Sequence, residues 1–527
     1  MNDLWQGLRK NRTLILTLLV LALLFLMATQ GMSTNDWVIT ALRGLSVGAV
    51  TFLVAAGFSI ILGLMDVLNL AQGTLFMVGA YVGWSVFVRP DTFLDVLTPI
   101  ILLVAGFMLG PLWKNLLARL SLPRQVARIW PWLVLILALL LLAITLPRVP
   151  ITMWNHEDYS DSPVVWTMNY EGGLTPSLIV PARFVDTSPI LCWLGLLLAS
   201  GLISLSLTGF SWRRSGGGPS AARLPWKGPL LFFVLAVVGI GIYWFNDELT
   251  AWMLGLDSTL LFFFAVVVAT LTGAALGALM EASLIRPLYA RPTYQLMLTL
   301  GLGLLGIEMV RAIWGRSGFT MPRPSFFANS GEGCPATSLA GWLQNKCRIL
   351  EITIGGETAR IRTYNEIFVI LMGLIVLVVV WLLIQRTRLG MVIRAGVQDS
   401  EMVEALGINV RQVFTLVFAL GVGLAALGGV LSGPSTGLSD LMGEHLLLGG
   451  LIALAIGGLT SYPGAAVGSV LVGLVQQFII KYGQIGIKLP FLAEPFKPTP
   501  PLVPSSTVLL MIIILVIMPQ GLLGRKE

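Results

Sequence analysis

Charge is what this sequence has least of. Only 11% of its 527 residues are Asp, Glu, Lys or Arg, while 56% are apolar; a soluble protein carries about 25% charged residues. That deficit excludes a soluble enzyme, a nucleic-acid binder and a disordered scaffold. The net charge of +7 has a simpler origin in the Lys and Arg that membrane proteins keep in cytoplasmic loops. Cysteine and histidine are equally scarce: Cys192, Cys334, Cys347, His156 and His445 are all there are. None falls in a C-x-x-C or H-x-x-x-H spacing, so no metal site is expected. No Gly-Lys dipeptide occurs, which removes the P-loop and with it that way of holding ATP phosphates. Neither a catalytic role nor a cofactor is expected of this chain.

What the sequence does have is long charge-free runs. Thirteen blocks run from Thr13–Asn35 to Pro498–Gly524, and the twelfth, His445–Ile480, is broken at Ser461-Tyr462-Pro463-Gly464. Pro and Gly end one helix there and begin another. The fold class is therefore all-α, a polytopic membrane protein with about 14 (12–14) transmembrane segments. The first block reads as an uncleaved helix, with a signal sequence as the alternative; Asp36 lies outside in both.

With a cytoplasmic N-terminus, alternating sides collect 19 of the 33 basic residues in short cytoplasmic loops, among them Lys114, Arg124, Arg213, Arg286, Arg388, Arg411 and Arg525. That bias orients the protein and leaves the C-terminus cytoplasmic too. Two outer loops are long, about 148–186 and 316–366. The second reads as a hairpin, Leu350–Ile354 and Ala359–Tyr364 around Gly355-Gly356. It also holds Cys334 and Cys347, which are expected to pair outside the membrane. Cys192 lies in an apolar block and reads as a packing residue.

Three stretches are unlike generic membrane filler. Gly63 to Tyr81 puts Asp66, Asn69 and Gln72 at helical i, i+3, i+6 spacing, with Gly73 beside them. Such groups either face a cavity beside a broken helix or sit in a cytoplasmic interfacial loop, where polarity costs little. Between 386 and 411, Asp399 or Ser400 caps a short helix with Glu401 and Glu404 on its polar face and Gly407 after it. A helix lying on lipid carries basic residues there, so the acidic face reads as a docking surface for another protein. Gly449 to Gly468 is dense in small residues, including Gly457, Gly458 and Gly464 beside Pro463, which suits close helix packing.

Together these stretches resemble the permease subunits of branched-chain amino acid ABC importers, of the high-affinity Leu/Ile/Val type. Asn69-Leu70-Ala71-Gln72-Gly73 is similar to that family's N-terminal motif, with Gln72 where a histidine is usual. Arg394-Ala395 and Gly407-Ile408-Asn409 resemble its cytoplasmic coupling loop, and Gly457-Gly458 with Ser461, Pro463 and Gly464 its Gly-Gly-x-x-Ser-x-Pro-Gly-Ala motif. Arg286-Pro287-Leu288, Thr299-Leu300-Gly301 and Pro519-Gln520-Gly521-Leu522 also fit.

The resemblance implies an ABC importer permease fold in the cytoplasmic (inner) membrane of a bacterium. It implies a translocation pathway at Asp66, Asn69, Gln72 and Gly73, and coupling to an ATPase through Asp399, Glu401, Glu404, Ala405, Gly407, Ile408 and Asn409. It implies helix packing at Gly457, Gly458, Pro463 and Gly464. The partners are a second permease subunit, two ATPase subunits that bind the ATP, a periplasmic or surface-anchored substrate-binding protein, and the lipid bilayer. The parts expected are an N-terminal membrane helix (1–36), a conserved N-terminal part (37–109), inserted helices with an outer loop (110–257) and a conserved C-terminal part (258–527). Urea-importer permeases are the close alternative. A secondary transporter, of another class, would rest on Glu281, Glu308 and Arg311.

Overall fold

The computed structural model describes residues 31–119, 124–149, 153–154, 179–180, 188–214, 226–289, 291–316, 318–354, 356–398, 400–405, 407, 409–487 and 494–524. The first charge-free block, residues 13–35, lies largely outside them. Every other block is helical. Among the described residues ten helices are long and apolar enough to span a membrane, and Gln72–Val88, Met442–Gly457 and Leu502–Ile517 are apolar but shorter. Helices suit such a chain because lipid offers no hydrogen-bond partners to an open backbone.

By its contacts the chain divides into two compact units. The larger joins the residues up to Trp84 with Ser258 onward. Its helices are α1 (Thr34–Met65), α2 (Gln72–Val88, its last turn beyond the division), α9 (Ser258–Met280), α10 (Pro292–Trp314), α11 (Leu339–Asn345) and α12 (Val369–Arg386). They continue with α13 (Arg388–Gln398), α14 (Ser400–Ala405), α15 (Val410–Thr436), α16 (Met442–Gly457), α17 (Tyr462–Ile485) and α18 (Leu502–Ile517). The smaller unit, Ser85–Asp257, holds α3 (Pro90–Phe107), α4 (Gly110–Ala118), α5 (Arg124–Thr145), α6 (Pro189–Arg214), α7 (Lys227–Trp244) and α8 (Asn246–Leu254). It begins at Ser85, upstream of the Gly110 expected from sequence, because α3 packs with α6 and α7 around Leu102, Trp193, Leu196 and Ala236.

Helix α1 is the axis of the larger unit. It is apolar all round, and Thr51 to Ile61 is an unbroken buried run, as expected of a helix with neighbours on every side. It packs along α17, α15, α16 and α12. Where α1 meets α17 the backbones nearly touch: a Cβ on Gly48 would lie 2.9 Å from the Ser469 carbonyl oxygen, and one on Gly473 would lie 2.3 Å from that of Gly44. Gly44-Leu45-Ser46-Val47-Gly48 also has the G-x-S-x-G spacing of a hydrolase nucleophile. It lies inside one continuous helix, with no strand-to-helix turn, so it is a small-x-x-x-small packing surface.

The loop before α12 carries an antiparallel hairpin, β1 (Ile349–Ile354) and β2 (Glu357–Arg362), with Ile349 opposite Arg362. β2 stops at Arg362, short of Tyr364, because a π-helical turn over Thr363–Phe368 begins there and leads into α12. Cys334 and Cys347 are joined by a disulfide with Cα atoms 5.5 Å apart.

Candidate functional site

The chain breaks between α1 and α2, and the break is buried. Asp66 ends α1 in the left-handed region with φ 53°, its own N–H donating to the Leu62 carbonyl at 3.0 Å. Residues 66–71 are therefore not helical, and the i, i+3, i+6 face read from the sequence does not form. Asp66 is exposed at the helix end while Asn69 and Gln72 are fully buried. Three polar residues that share a spacing thus occupy two environments.

Asn69 and Gln72 hold each other and the surrounding helices. Asn69 Nδ2 donates to Gln72 Oε1 at 3.1 Å, and Gln72 Nε2 donates to the Gly421 carbonyl of α15 at 2.7 Å. Asn69 Oδ1 accepts the Ala71 N–H, and the Leu70 N–H reaches the Thr299 hydroxyl of α10 at 3.2 Å. Only glycine fits across from this amide: a Cβ on Gly57 would lie 2.2 Å from Gln72 Nε2. One residue on, Gly73 faces Gly443 of α16, where a Cβ would lie 2.3 Å from the Gly443 carbonyl oxygen. The joint closes the space between α1, α2 and α15.

On the hairpin side of this joint lies a cavity of about 450 Å³, walled by residues of α1, α2, α15, α16 and α17 and by the segment that leads from β2 into α12. Its lining is largely apolar, including Val47, Val50, Phe76 and Leu446, with polar groups converging from distant segments: Arg43, Asn365, Glu366, Ser435 and His445. Phe76 on its wall is one helical turn from Gln72. The Arg43 Nε donates to Glu366 Oε1 at 3.1 Å, and Glu366 Oε2 accepts the Arg362 N–H at 2.6 Å. Sequence reading missed these residues. The available signals were a lone Arg43 interrupting apolar sequence and the polar run Ser432-Gly433-Pro434-Ser435-Thr436 ending an apolar block.

The glycine-rich stretch lies at the end of the unit away from the hairpin. A Cβ on Gly464 would lie 2.2 Å from the Gly457 carbonyl oxygen, so α16 and α17 meet backbone to backbone. Ser461 caps α17, its hydroxyl accepting the Gly464 N–H at 3.2 Å, with Pro463 in the first turn. Gly458 turns the chain at φ 111°. The free carbonyls of Ile456 and Gly457 are then taken by the N–H groups of Leu522 and Leu523 at 2.8 and 2.9 Å. The C-terminal motif thus caps α16, supplying partners that a helix end lacks.

Of the residues assigned to coupling, Asp399 and Ile408 lie outside the described residues, as do the side chains of Glu401 and Ala405. Helix α14 packs on α13 and α15 with Val403 buried and Glu404 exposed. Met402 is exposed. Gly407 leaves the helix at φ +81° with open space around it, and Asn409 caps α15, its side chain accepting the Gln412 N–H.

The charges a secondary transporter would need are held in pairs. Arg311 Nη1 donates to Glu308 at 2.7 Å and its Nε to Asp440 at 2.8 Å. Glu281, fully buried just after α9, accepts from Arg286 at 2.7 Å, the Thr415 hydroxyl at 2.6 Å and the Tyr289 hydroxyl at 2.5 Å. Burial and this bond to Glu281 hold the Tyr289 phenol well above its ordinary titration range. The cluster ties the end of α9 to the first turns of α15.

Ten helices long and apolar enough to span a membrane, among the described residues, define a polytopic all-α membrane protein. The chain belongs to the family of branched-chain amino acid transport system permease components, whose model matches residues 228–519, more than half of it. That match does not extend to the Asn69–Gln72 joint. The chain is 31% identical over 145 residues to the high-affinity branched-chain amino acid transport system permease protein LivH of Escherichia coli K12, covering 27% of this chain and 42% of that one. It is 31% identical over 167 residues to BraD of Pseudomonas aeruginosa, a permease protein of the same description, covering 31% and 49%. It is also 30% identical over 119 residues to the fructose import permease protein FruF of Bifidobacterium longum, covering 21% and 33%. The matched segments span less than half the length of these relatives. No solved structure matches.

Proposed function

We propose that this chain is the membrane-spanning permease subunit of an ABC importer that carries branched-chain or related amino acids inward. The hairpin end faces outside and both termini face the cytoplasm. A second permease, two ATPase subunits and a substrate-binding protein complete the assembly, and the energy comes from ATP bound by those ATPases. The observation that carries the reading is the cavity on the hairpin side, whose wall residue Phe76 lies one helical turn from the buried Gln72–Gly421 bond. A solute delivered from the hairpin side would stop at that joint until α1, α2 and α15 part. Alternating access needs such a bistable element, one whose closed form is stable but held by few bonds. Family membership supports the transport class, and the LivH and BraD likenesses support amino acids.

The test is uptake in cells lacking the chain, complemented with it, using labelled leucine, fructose and urea as separate solutes. Leucine uptake that depends on the chain and on the ATPase subunits is expected. Dependence for fructose or urea alone would overturn the substrate class, and leucine uptake that survives removal of the ATPases would overturn the importer mechanism.

A further inference from the structure

We propose that Arg43, held by Glu366, forms with Asn365 and Ser435 a subsite in the cavity for a small zwitterionic solute, the guanidinium receiving its carboxylate and the unsatisfied acceptors of Asn365 and Ser435 its ammonium. The proposal rests on the importer reading above but concerns a site which that reading does not need, since a binding protein could do all the selecting.

Glu366 meets Arg43 side-on, through Nε alone. The end-on edge of the guanidinium, its two Nη groups, makes no hydrogen bond among the described residues, and the Arg43 side chain is 45% exposed while that of Glu366 is 1% exposed. A planar fork with two free donors, fixed by a buried carboxylate, matches the geometry of a second carboxylate. Nearby, Asn365 Oδ1 and Ser435 Oγ are buried without a partner among the described residues, although both residues line the cavity. Buried polar atoms seldom stay unsatisfied, and here an acceptor lies beside an anionic carboxylate. Both Glu366 oxygens already accept, from Arg43 Nε and the Arg362 N–H, so the wall presents free guanidinium donors together with the unsatisfied acceptors of Asn365 and Ser435, the complement of a solute carrying adjacent carboxylate and ammonium groups. The apolar lining of Val47, Val50 and Leu446 suits a hydrocarbon side chain. A sugar or urea has no charge to match the pair.

The experiment uses the assembled importer carrying Thr436→Cys, at an exposed position on the cavity wall, and follows the rate of modification by a small thiol reagent, with the parent importer as blank. Leucine at ten times its half-protecting concentration is expected to slow labelling about tenfold, whereas leucinamide, which lacks the carboxylate, leaves the rate unchanged. In Arg43→Gln the half-protecting leucine concentration is expected to rise about 10- to 100-fold, as for loss of a charge-assisted bond; Arg43→Lys, which keeps the charge without the fork, should fall between. Equal protection by leucine and leucinamide, or unchanged protection in Arg43→Gln, would overturn the subsite, and the first comparison needs no substitution at Arg43. Normal leucine uptake without protection would sink the subsite and leave the importer reading intact. Protection without chain-dependent uptake would do the reverse.

Discussion

Gln72 Nε2 lies 2.7 Å from the carbonyl oxygen of Gly421, although the two residues are 349 positions apart. The bond crosses from the start of one helix to the middle of another and fills the gap left by Gly57. Around it the larger unit is pinned at both ends: by Arg43–Glu366 on the hairpin side, and by the Gly457–Gly464 contact and the C-terminal cap on the other.

Gln72→Leu should disturb transport more than folding. The leucine cannot reach Gly421 and leaves the buried Asn69 amide without its acceptor, a loss worth about 1–3 kcal/mol. That cost falls on the closed joint, so the balance between closed and open forms shifts about tenfold or more. Asn69→Leu should act in the same direction. Leucine uptake by the intact importer is the measurement; wild-type uptake at normal expression would exclude both residues from the route.

Gly464→Ala tests the other end. Its Cβ would lie 2.2 Å from a backbone oxygen, that of Gly457, which cannot rotate away as a side chain can. Overpacking of this kind costs about 1–3 kcal/mol, so the melting temperature of the detergent-purified protein should drop by several degrees. Gly241→Ala, whose Cβ would meet nothing within 4 Å, is the control and should melt as wild type.

The disulfide gives a third expectation. Cys334 and Cys347 are 13 positions apart, and closing a loop of that size restricts the unfolded chain by about 3 kcal/mol on the entropy model. Mass spectrometry of unreduced peptides from protein purified without reductant should find the pair linked. The double Ser variant should make the loop more sensitive to protease, with α1 to α2 unaffected. Two free thiols in that preparation would contradict an outer placement of the loop.

Much of this architecture was legible in the sequence, because lipid enforces long apolar runs and Pro and Gly mark where they stop. The break expected at Ser461–Gly464 comes slightly earlier, at Gly458–Ser461, because Pro463 and Gly464 belong to the first turn of α17. Span number was harder to read, since α2, α16 and α18 are apolar but short. The site was legible only in part. Asn69 and Gln72 stood out as polar residues in an apolar stretch, yet nothing local pointed to Thr299 or Gly421 as their partners. Asp66 shared their spacing and not their burial, because a left-handed residue ended the helix before the face could form. The cavity was not legible: Arg43, the neighbours Asn365 and Glu366, and the Ser435–His445 stretch come from three distant parts of the chain, which meet only through the packing of α1, α15 and α16.

The last expectation concerns the segment between α12 and α15. Helix α14 is too short to bury an apolar face of its own, with Val403 its buried apolar residue, Met402 exposed and Glu404 turned to solvent. The sequence adds Asp399 and Glu401 on the same short stretch. An acidic surface held between Arg394, which donates to the Ile384 carbonyl at the end of α12, and the Asn409 cap of α15 can pass a push along α15. Thr415 on α15 in turn grips Glu281 at the end of α9, so movement at α14 would reach two membrane helices. Replacing both Glu401 and Glu404 with Lys should leave the permease folded; at the exposed Glu404 such a charge change seldom costs more than about 0.5 kcal/mol. The same change should weaken co-purification of the ATPase subunits and lower leucine uptake severalfold. Glu281→Gln, which keeps its shape but loses the charge that pairs with Arg286, should instead lower uptake while leaving ATPase binding intact. If the double Lys variant retains both binding and uptake, α14 is not the docking element, and the acidic stretch serves only the protein's solvation.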